Sequence, residues 1–374
     1  LPDRPPALRA AAGPGSLVPD PRSLVTLELG VEKLGDNARL RATVRGGNQE
    51  SESAEDVPIA QLLECGRAPD PGAALGEMVL RASVRDEFQR AVATARNIEK
   101  TLRVRLKIAP SLLEAHQLPW EGLQAPGDRG PIALSHAVTR YAIGGRVRDL
   151  TRRRTEARRA IVFAPMPEFE GRSTADFVTA ARQHVAALAD WKVDRIGDDE
   201  APTLARLADA LGVAGGVNVA YLICHGTYGA RTNSSALWFT DDEGKPRREE
   251  AVSIEQTFAA LENPPDLVVF AACMTAGGGV RDPLGAIAPS IARAGVPAVV
   301  GMNGAIPIET LGRFLAAFSH SVNEDGDVEL AMLSARKATG TLEGWTFPVL
   351  YSRLADGRIW SARGFDASSQ DLRT

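Results

Sequence analysis

Two almost unbroken apolar runs, VNVAYLIC (217–224) and DLVVFAAC (266–273), limit the fold of this chain more than any other feature. They read as continuous Val, Leu, Ile and Phe rather than as the alternation of a half-solvated strand. Strands of that kind are buried on both faces, and separated by helices they imply a parallel sheet covered on both sides. AIVFAPMP (160–167), KVDRIG (192–197) and VPAVVGM (296–302) supply further strands. Between them, Thr174 is placed to cap a helix whose Phe177, Ala181, Val185 and Leu188 share one face. TLARLADALG is a helix closed by Gly212, and Ser253 with Gln256 has capping-box spacing ahead of IEQTFAALE. LGAIAPSIARAG is helical despite Pro289.

The first half follows a different pattern. Residues 1–22 are dense in Pro, Gly and Ala without periodicity, which predicts a linker or tail. LVTLELGVEKLGDNARLRATVRGG holds two alternating segments around a GDN turn, the pattern of a hairpin with one buried face. Helices are expected over 60–65 and 73–101 and in SLLEAHQLPWEGL before Pro119. LRVRLKIAP and IALSHAVTRYAI read as strands. The basic segment RVRDLTRRRTEARRA (146–160) reads as a solvated link, giving divisions at 23–155 and 156–374.

Composition places the chain among globular proteins, with 374 residues, 44% hydrophobic and 24% charged. A net charge of −4 gives no general attraction to nucleic acid or to an anionic membrane. No apolar run approaches the roughly 20 residues that cross a bilayer. Three scattered cysteines, Cys65, Cys224 and Cys273, do not make a disulfide framework, so a cytoplasmic protein is expected.

The chemistry lies at two strand ends. In open parallel sheets functional groups gather beyond the carboxyl ends of strands. His225 and Cys273 each follow a buried run and so emerge at one edge. If the runs are neighbours, about 4.8 Å apart, imidazole and thiol flank one scissile bond. His225 would accept the thiol proton and return one to the leaving amine, and Cys273 would be the nucleophile. The N–H groups of Gly226 and Cys273 are candidates for an oxyanion hole, and the glycines at 277–279 let the chain bend away. Cys224 should point to the opposite side of its strand and pack. His116, His136, His184 and His320 have no partner spacing. The CxxC and HExxH spacings of metal sites and the Lys-Ser/Thr of a phosphate loop are missing, so no metal or cofactor is expected.

YLICHGTYG, SALWFTDDEG, DLVVFAACMTAGGG, AGVPAVVGM and GWTFPVLYSR, with LPWEGL and IALSHAVTRY upstream, stand in an order that resembles CHAT-domain proteins, the caspase-like cysteine peptidases related to separase. The resemblance runs from about residue 24 to 360. It implies an α/β fold with a caspase-like, parallel-rich sheet flanked by helices, preceded by a degenerate protease-like α/β subdomain. It further implies a dyad of His225 and Cys273, hydrolysis through a thioester, no cofactor, a protein or peptide substrate, and an upstream sensor or regulatory domain or subunit. Bacterial relatives often work in defence or programmed cell death. Met302, Asn303 and Asp282 are the candidates for a substrate pocket. Separase-like relatives carry an acidic group after the strand that ends in VVGM, where this chain has the neutral Asn303, Gly304 and Ala305, so arginine recognition by that route is not expected. Asp241, Asp242 and Asp282 leave a basic preference open. The competing readings are a silent interaction module using the same cleft, and a doubly wound nucleotide-binding or signalling domain, for which FAPMPEFEG offers only Glu168 and Glu170.

Overall fold

The computed structural model describes residues 24–360 apart from 47–48, 129, 145–157, 166–190, 199, 230–233 and 277–282. The linker expected over 1–22, most of the basic segment and the helix expected from Thr174 lie outside these residues. Strands β1 (Val25–Leu34) and β2 (Asn37–Gly46) form the predicted hairpin, with Leu34 opposite Asn37. Gly35 turns the chain at φ 61°, a left-handed conformation that glycine adopts without a Cβ clash. Alternate residues, among them Leu27, Leu29, Leu40 and Ala42, are buried as the pattern requires.

Strand β3 (Gln49–Pro58) has no strand signal in its sequence, QESESAEDVP. It pairs with β2 because its acids meet arginines in register: Arg39 faces Asp56 at 2.8 Å and Arg45 faces Glu50 at 3.0 Å. After α1 (Ile59–Glu64), the single helix expected over 73–101 is two, α2 (Pro71–Val79) and α3 (Ala82–Asn97). The interruption brings the Glu55 carboxylate of β3 to the Ser83 hydroxyl at 2.7 Å and the Ser83 amide at 3.2 Å. It thereby satisfies a donor that the first turn of α3 leaves open. SLLEAHQLPWEGL forms two tight 3₁₀ turns, Leu113–Gln117 and Trp120–Gly122, in place of a longer helix. Strand β4 (Leu102–Ile108) matches LRVRLKI, and β5 (Ala137–Tyr141) occupies only the latter part of IALSHAVTRYAI, after a 3₁₀ turn at Ile132–Leu134.

The second half contributes β6 (Arg159–Phe163), β7 (Lys192–Ile196), β8 (Val219–Ile223), β9 (His225–Gly229), β10 (Ser234–Thr240), β11 (Pro246–Glu250), β12 (Leu267–Ala271), β13 (Ala298–Met302) and β14 (Pro348–Ser352). Helix α4 (Leu204–Leu211) is capped by the Thr203 hydroxyl and ends at Gly212. Helix α5 (Ala251–Ala260) starts two residues before Ser253, because β11 runs straight into it and the extended Glu250 holds the cap position. The expected capping box is therefore one turn element too late. Pro289 is the third residue of α6 (Ile287–Ala294), where the missing N–H has no helical partner to lose. Helices α7 (Ile308–Asp325) and α8 (Val328–Thr339) follow.

Among the described residues, eleven strands form one sheet in the order β3-β2-β1-β4-β5-β14-β13-β12-β8-β6-β7, and β11-β10-β9 form a second. Strands β7, β6, β8, β12 and β13 run parallel, as the unbroken apolar runs require. Strand β14 is antiparallel to β13 and parallel to β5, which β4 and β1 follow. The parallel strands of the two halves therefore point in opposite directions. The buried residues of one apolar core all lie within 25–138, with Trp345 packed against it, while two others fill the two faces of the second-half sheet.

The halves meet at β5 and β14, which register through Arg140 opposite Tyr351 and Tyr141 opposite Ser352. Beyond that, the buried Arg336 guanidinium reaches across, donating to the Val138 carbonyl at 2.7 Å and to the Pro348 carbonyl at 3.2 Å. Burial pulls its pKa down to about 10. Arg103 of β4 crosses the same boundary to Asp327 and Glu329, each at 2.5 Å, with all three side chains at most 4% exposed.

Candidate active site

Strands β8 and β12 are neighbours, with Ile223 opposite Ala271, and every residue of both is buried. The Cys224 amide still donates to the Ala271 carbonyl at 3.4 Å. One residue later the chain leaves the large sheet: His225 opens β9 and pairs across to Trp238 of β10. Two residues beyond β12, Cys273 leaves at the same edge. The imidazole and the thiol thus come from adjacent parallel strands whose positions are fixed by burial on both faces.

Gly226 shows how close the two chain segments lie. A Cβ added there would stand 1.9 Å from the Cys273 carbonyl oxygen and 3.2 Å from the Cys273 nitrogen. No side chain fits at that distance, so the glycine is required by its contact with the Cys273 backbone. The sequence suggested a different reason, approach of its N–H to a substrate.

Burial shapes the titration of the site. It pushes the Cys273 thiol above its ordinary range, partly opposed by the backbone amides of Ile306 and of Cys273 itself. It pulls the His225 imidazole below its ordinary range. His225 Nε2 is buried and meets no hydrogen-bond partner among the described residues. Both shifts favour the uncharged forms, a thiol and a neutral imidazole. Cys224 lies on the opposite side of its strand, 3% exposed, and burial drives its thiol far up. It packs in the core as expected.

The turn after Cys273 is held from several sides. Met274 adopts φ 59°, which is uncommon for a residue with a long side chain. Its amide donates to the Gly304 carbonyl at 3.4 Å, and its carbonyl accepts from the Ser235 hydroxyl at 3.4 Å. Thr275 is fully buried, and its hydroxyl donates to the Ala272 carbonyl at 3.0 Å and accepts the Met302 amide at 2.8 Å. Ser235 and the Ile306 amide were not legible in the sequence, since neither stands in a recognisable spacing with His225 or Cys273.

The expected pocket residues divide. Asn303 directly follows β13, beside the turn after Cys273; its amide donates to the Phe347 carbonyl at 2.8 Å, and its Oδ1 is buried without a partner among the described residues. The Met302 side chain is 0% exposed and packs in the core on the same face of β13 as Ala298 and Val300. Asp282 and the glycines at 277–279 lie outside the described residues. The Asp241 carboxylate is occupied by the amides of Glu243 and Lys245 in the turn between β10 and β11. Among the described residues no group of three or more His, Cys, Asp or Glu is placed to hold a metal ion. An apolar cleft at the boundary of the halves, lined by residues such as Leu106, Ile108, Tyr141 and Arg293, contains neither His225 nor Cys273.

No curated protein sequence matches the chain. Solved structures similar to it include the Arg specific cysteine proteinase gingipain R (RGPB), with a TM-score of 0.46 and 11% identity over 76% of this chain and 69% of that one. The complex of Porphyromonas gingivalis RgpB pro- and mature domains is similar at a TM-score of 0.46 and 12% identity, covering 76% of this chain and 71% of that one. The Saccharomyces cerevisiae separase–securin complex is similar at a TM-score of 0.42 and 13% identity, covering 72% of this chain and 17% of that one. The CHAT domain family matches residues 69–354, well over half of the sequence. The chain belongs to the CHAT domain family.

Proposed function

We propose that this protein is a cysteine endopeptidase that cuts selected protein substrates with the dyad His225 and Cys273. The observation that carries the reading is the contact between Gly226 and the Cys273 backbone, which sets the two strand ends side by side. Membership of the CHAT family supports the same chemistry. His225 accepts the Cys273 proton as the sulfur attacks the scissile carbonyl carbon. The oxyanion that forms faces the amides of Cys273 and Gly226. The C–N bond breaks as the imidazolium protonates the leaving amine, leaving a thioester. Water, deprotonated by His225, then attacks the thioester and restores the thiol. None of these steps calls for a cofactor. Asn303 lines the approach to the nucleophile. The natural setting we infer is bacterial defence or cell-death signalling in the cytoplasm, with an upstream sensor or regulatory domain or subunit.

The test is a digest of a proteome-derived peptide library, with wild type and Cys273→Ala compared by mass spectrometry. Cuts made by wild type alone are expected, and they reveal the pocket preference directly. Equal digests, with no labelling of Cys273 by a thiol-directed peptide probe, would reject the reading in favour of a binding module.

A further inference from the structure

The segment from Cys273 to Ala276 is held by hydrogen bonds along its length, and two of them meet on one buried side chain, that of Thr275. The Thr275 hydroxyl donates to the Ala272 carbonyl at 3.0 Å and accepts the Met302 amide at 2.8 Å. Its carbonyl accepts the Ala288 amide at 2.9 Å. Next to it, the Ala276 amide donates to the Met302 carbonyl at 3.0 Å, and the Ala276 carbonyl accepts the Tyr351 hydroxyl at 3.0 Å. Thr275 thus bolts the end of β12 to the end of β13, and Cys273 and Met274 are the two residues spanned by that bolt.

Met274 gives the arrangement its consequence. A non-glycine residue at φ 59° costs free energy and persists only where its surroundings hold it. Without the Thr275 hydroxyl, the buried Met302 amide and Ala272 carbonyl each lose a partner. The turn is then free to relax at its most strained residue, which is bonded directly to the nucleophile.

We propose that Thr275 is a positioning residue for Cys273, its hydroxyl clamping the ends of β12 and β13 so that the strained Met274 holds the sulfur against the His225 edge. The inference rests on the reading of Cys273 as the nucleophile. Thr275 touches no substrate and acts only through the turn. The clamp also keeps the Cys273 sulfur close to the Ile306 amide, one of the two backbone groups that favour its thiolate. Reactivity of the sulfur is therefore a readout that a role in packing alone does not move.

The experiment compares wild type, Thr275→Val, which keeps the shape and removes the hydroxyl, and Thr275→Ser, which keeps the hydroxyl. Alkylation of Cys273 by iodoacetamide is followed by site-resolved mass spectrometry from about pH 6 to about pH 10. Kinetic constants are measured on a peptide from the library digest. In Thr275→Val the alkylation profile is expected to move up by roughly half a pH unit or more. Its kcat should fall roughly ten- to a hundredfold while KM changes by less than about threefold. Thr275→Ser should restore both. An unchanged profile and kcat in Thr275→Val would overturn the proposal, and so would a Thr275→Ser protein as impaired as Thr275→Val. If Thr275→Val lacks a cooperative thermal transition, Thr275→Ala removes the same hydroxyl without the buried methyl mismatch and is read in the same way. If wild type cuts no peptide, the peptidase reading fails, while the alkylation profiles still decide the role of Thr275.

Discussion

The two halves of the sheet use parallel strands to different ends. In the second half β8 and β12 are apolar on both faces and finish at His225 and Cys273. In the first half β4 and β5 are also parallel, but they finish at Ala109 and Ala142, and the meander beside them is laced with surface ion pairs such as Arg39 with Asp56. Because β14 reverses the direction between the halves, β4 and β5 end at the edge away from His225 and Cys273. A parallel sheet is thus not enough to make a site. What matters is which residues follow the strands and toward which edge the strands point.

The sharpest way to break the contrast is at the closest contact of the second half. Gly226→Ala adds a Cβ that would lie 1.9 Å from the Cys273 carbonyl, so the strand ends must part. Cleavage is expected to be lost altogether while far-ultraviolet circular dichroism stays native; retained cleavage would show that the contact is dispensable. At the boundary of the halves, Arg103→Ala leaves Asp327 and Glu329 buried beside fewer cations. A loss of about 3–5 kcal/mol in urea unfolding is expected, and a loss under about 1 kcal/mol would mean that the halves hold together without this cluster.

His225→Ala should slow turnover by roughly a hundredfold through loss of the proton acceptor, with Cys273 still open to alkylation. In wild type the thiol lies above its ordinary range and the imidazole below, both through burial. With neutral His225 taking the thiol proton during attack, cleavage should stay level from about pH 7 toward the thiol's pKa and fall as the imidazole takes up a proton below about pH 6.5. A climb of roughly tenfold per pH unit above about pH 7 would instead mean that free thiolate attacks without help from the imidazole. The same imidazole contributes nothing to pH-dependent stability well above about pH 6.5, and below it the unfolded chain takes the proton first, so the fold weakens as pH falls. The smallest effect belongs to the first-half meander: Arg39→Ala should leave the urea midpoint and cleavage nearly unchanged, since both partners are well exposed and other rungs of the β2–β3 ladder remain. A clearly lower midpoint would mean that the Arg39–Asp56 rung carries most of that pairing.

Local pattern carried much of this. Strands buried on both faces must be apolar throughout, so β8, β12 and β13 were visible as runs, and His225, Gly226 and Cys273 stood out as the residues that interrupt them. The hairpin of β1 and β2 was equally plain, because a half-buried strand alternates. The sequence did not disclose β3, whose polar residues become a strand only when arginines of β2 face them. Nor did it disclose that Met302 packs wholly in the core, since β13 is covered on both faces.

By itself the sequence determined the α/β class and the placement of His225 and Cys273 just past buried strands, since hydrophobic periodicity is written locally within a few residues. Tertiary structure alone decided the fusion of the halves into one sheet, the reversal at β14, the crossing of Arg103 to Asp327 and Glu329, and the clamp from Thr275 to Met302. Each of those joins residues far apart in the chain through directional hydrogen bonds or ion pairs, and such bonds exist only once burial has brought the partners into register.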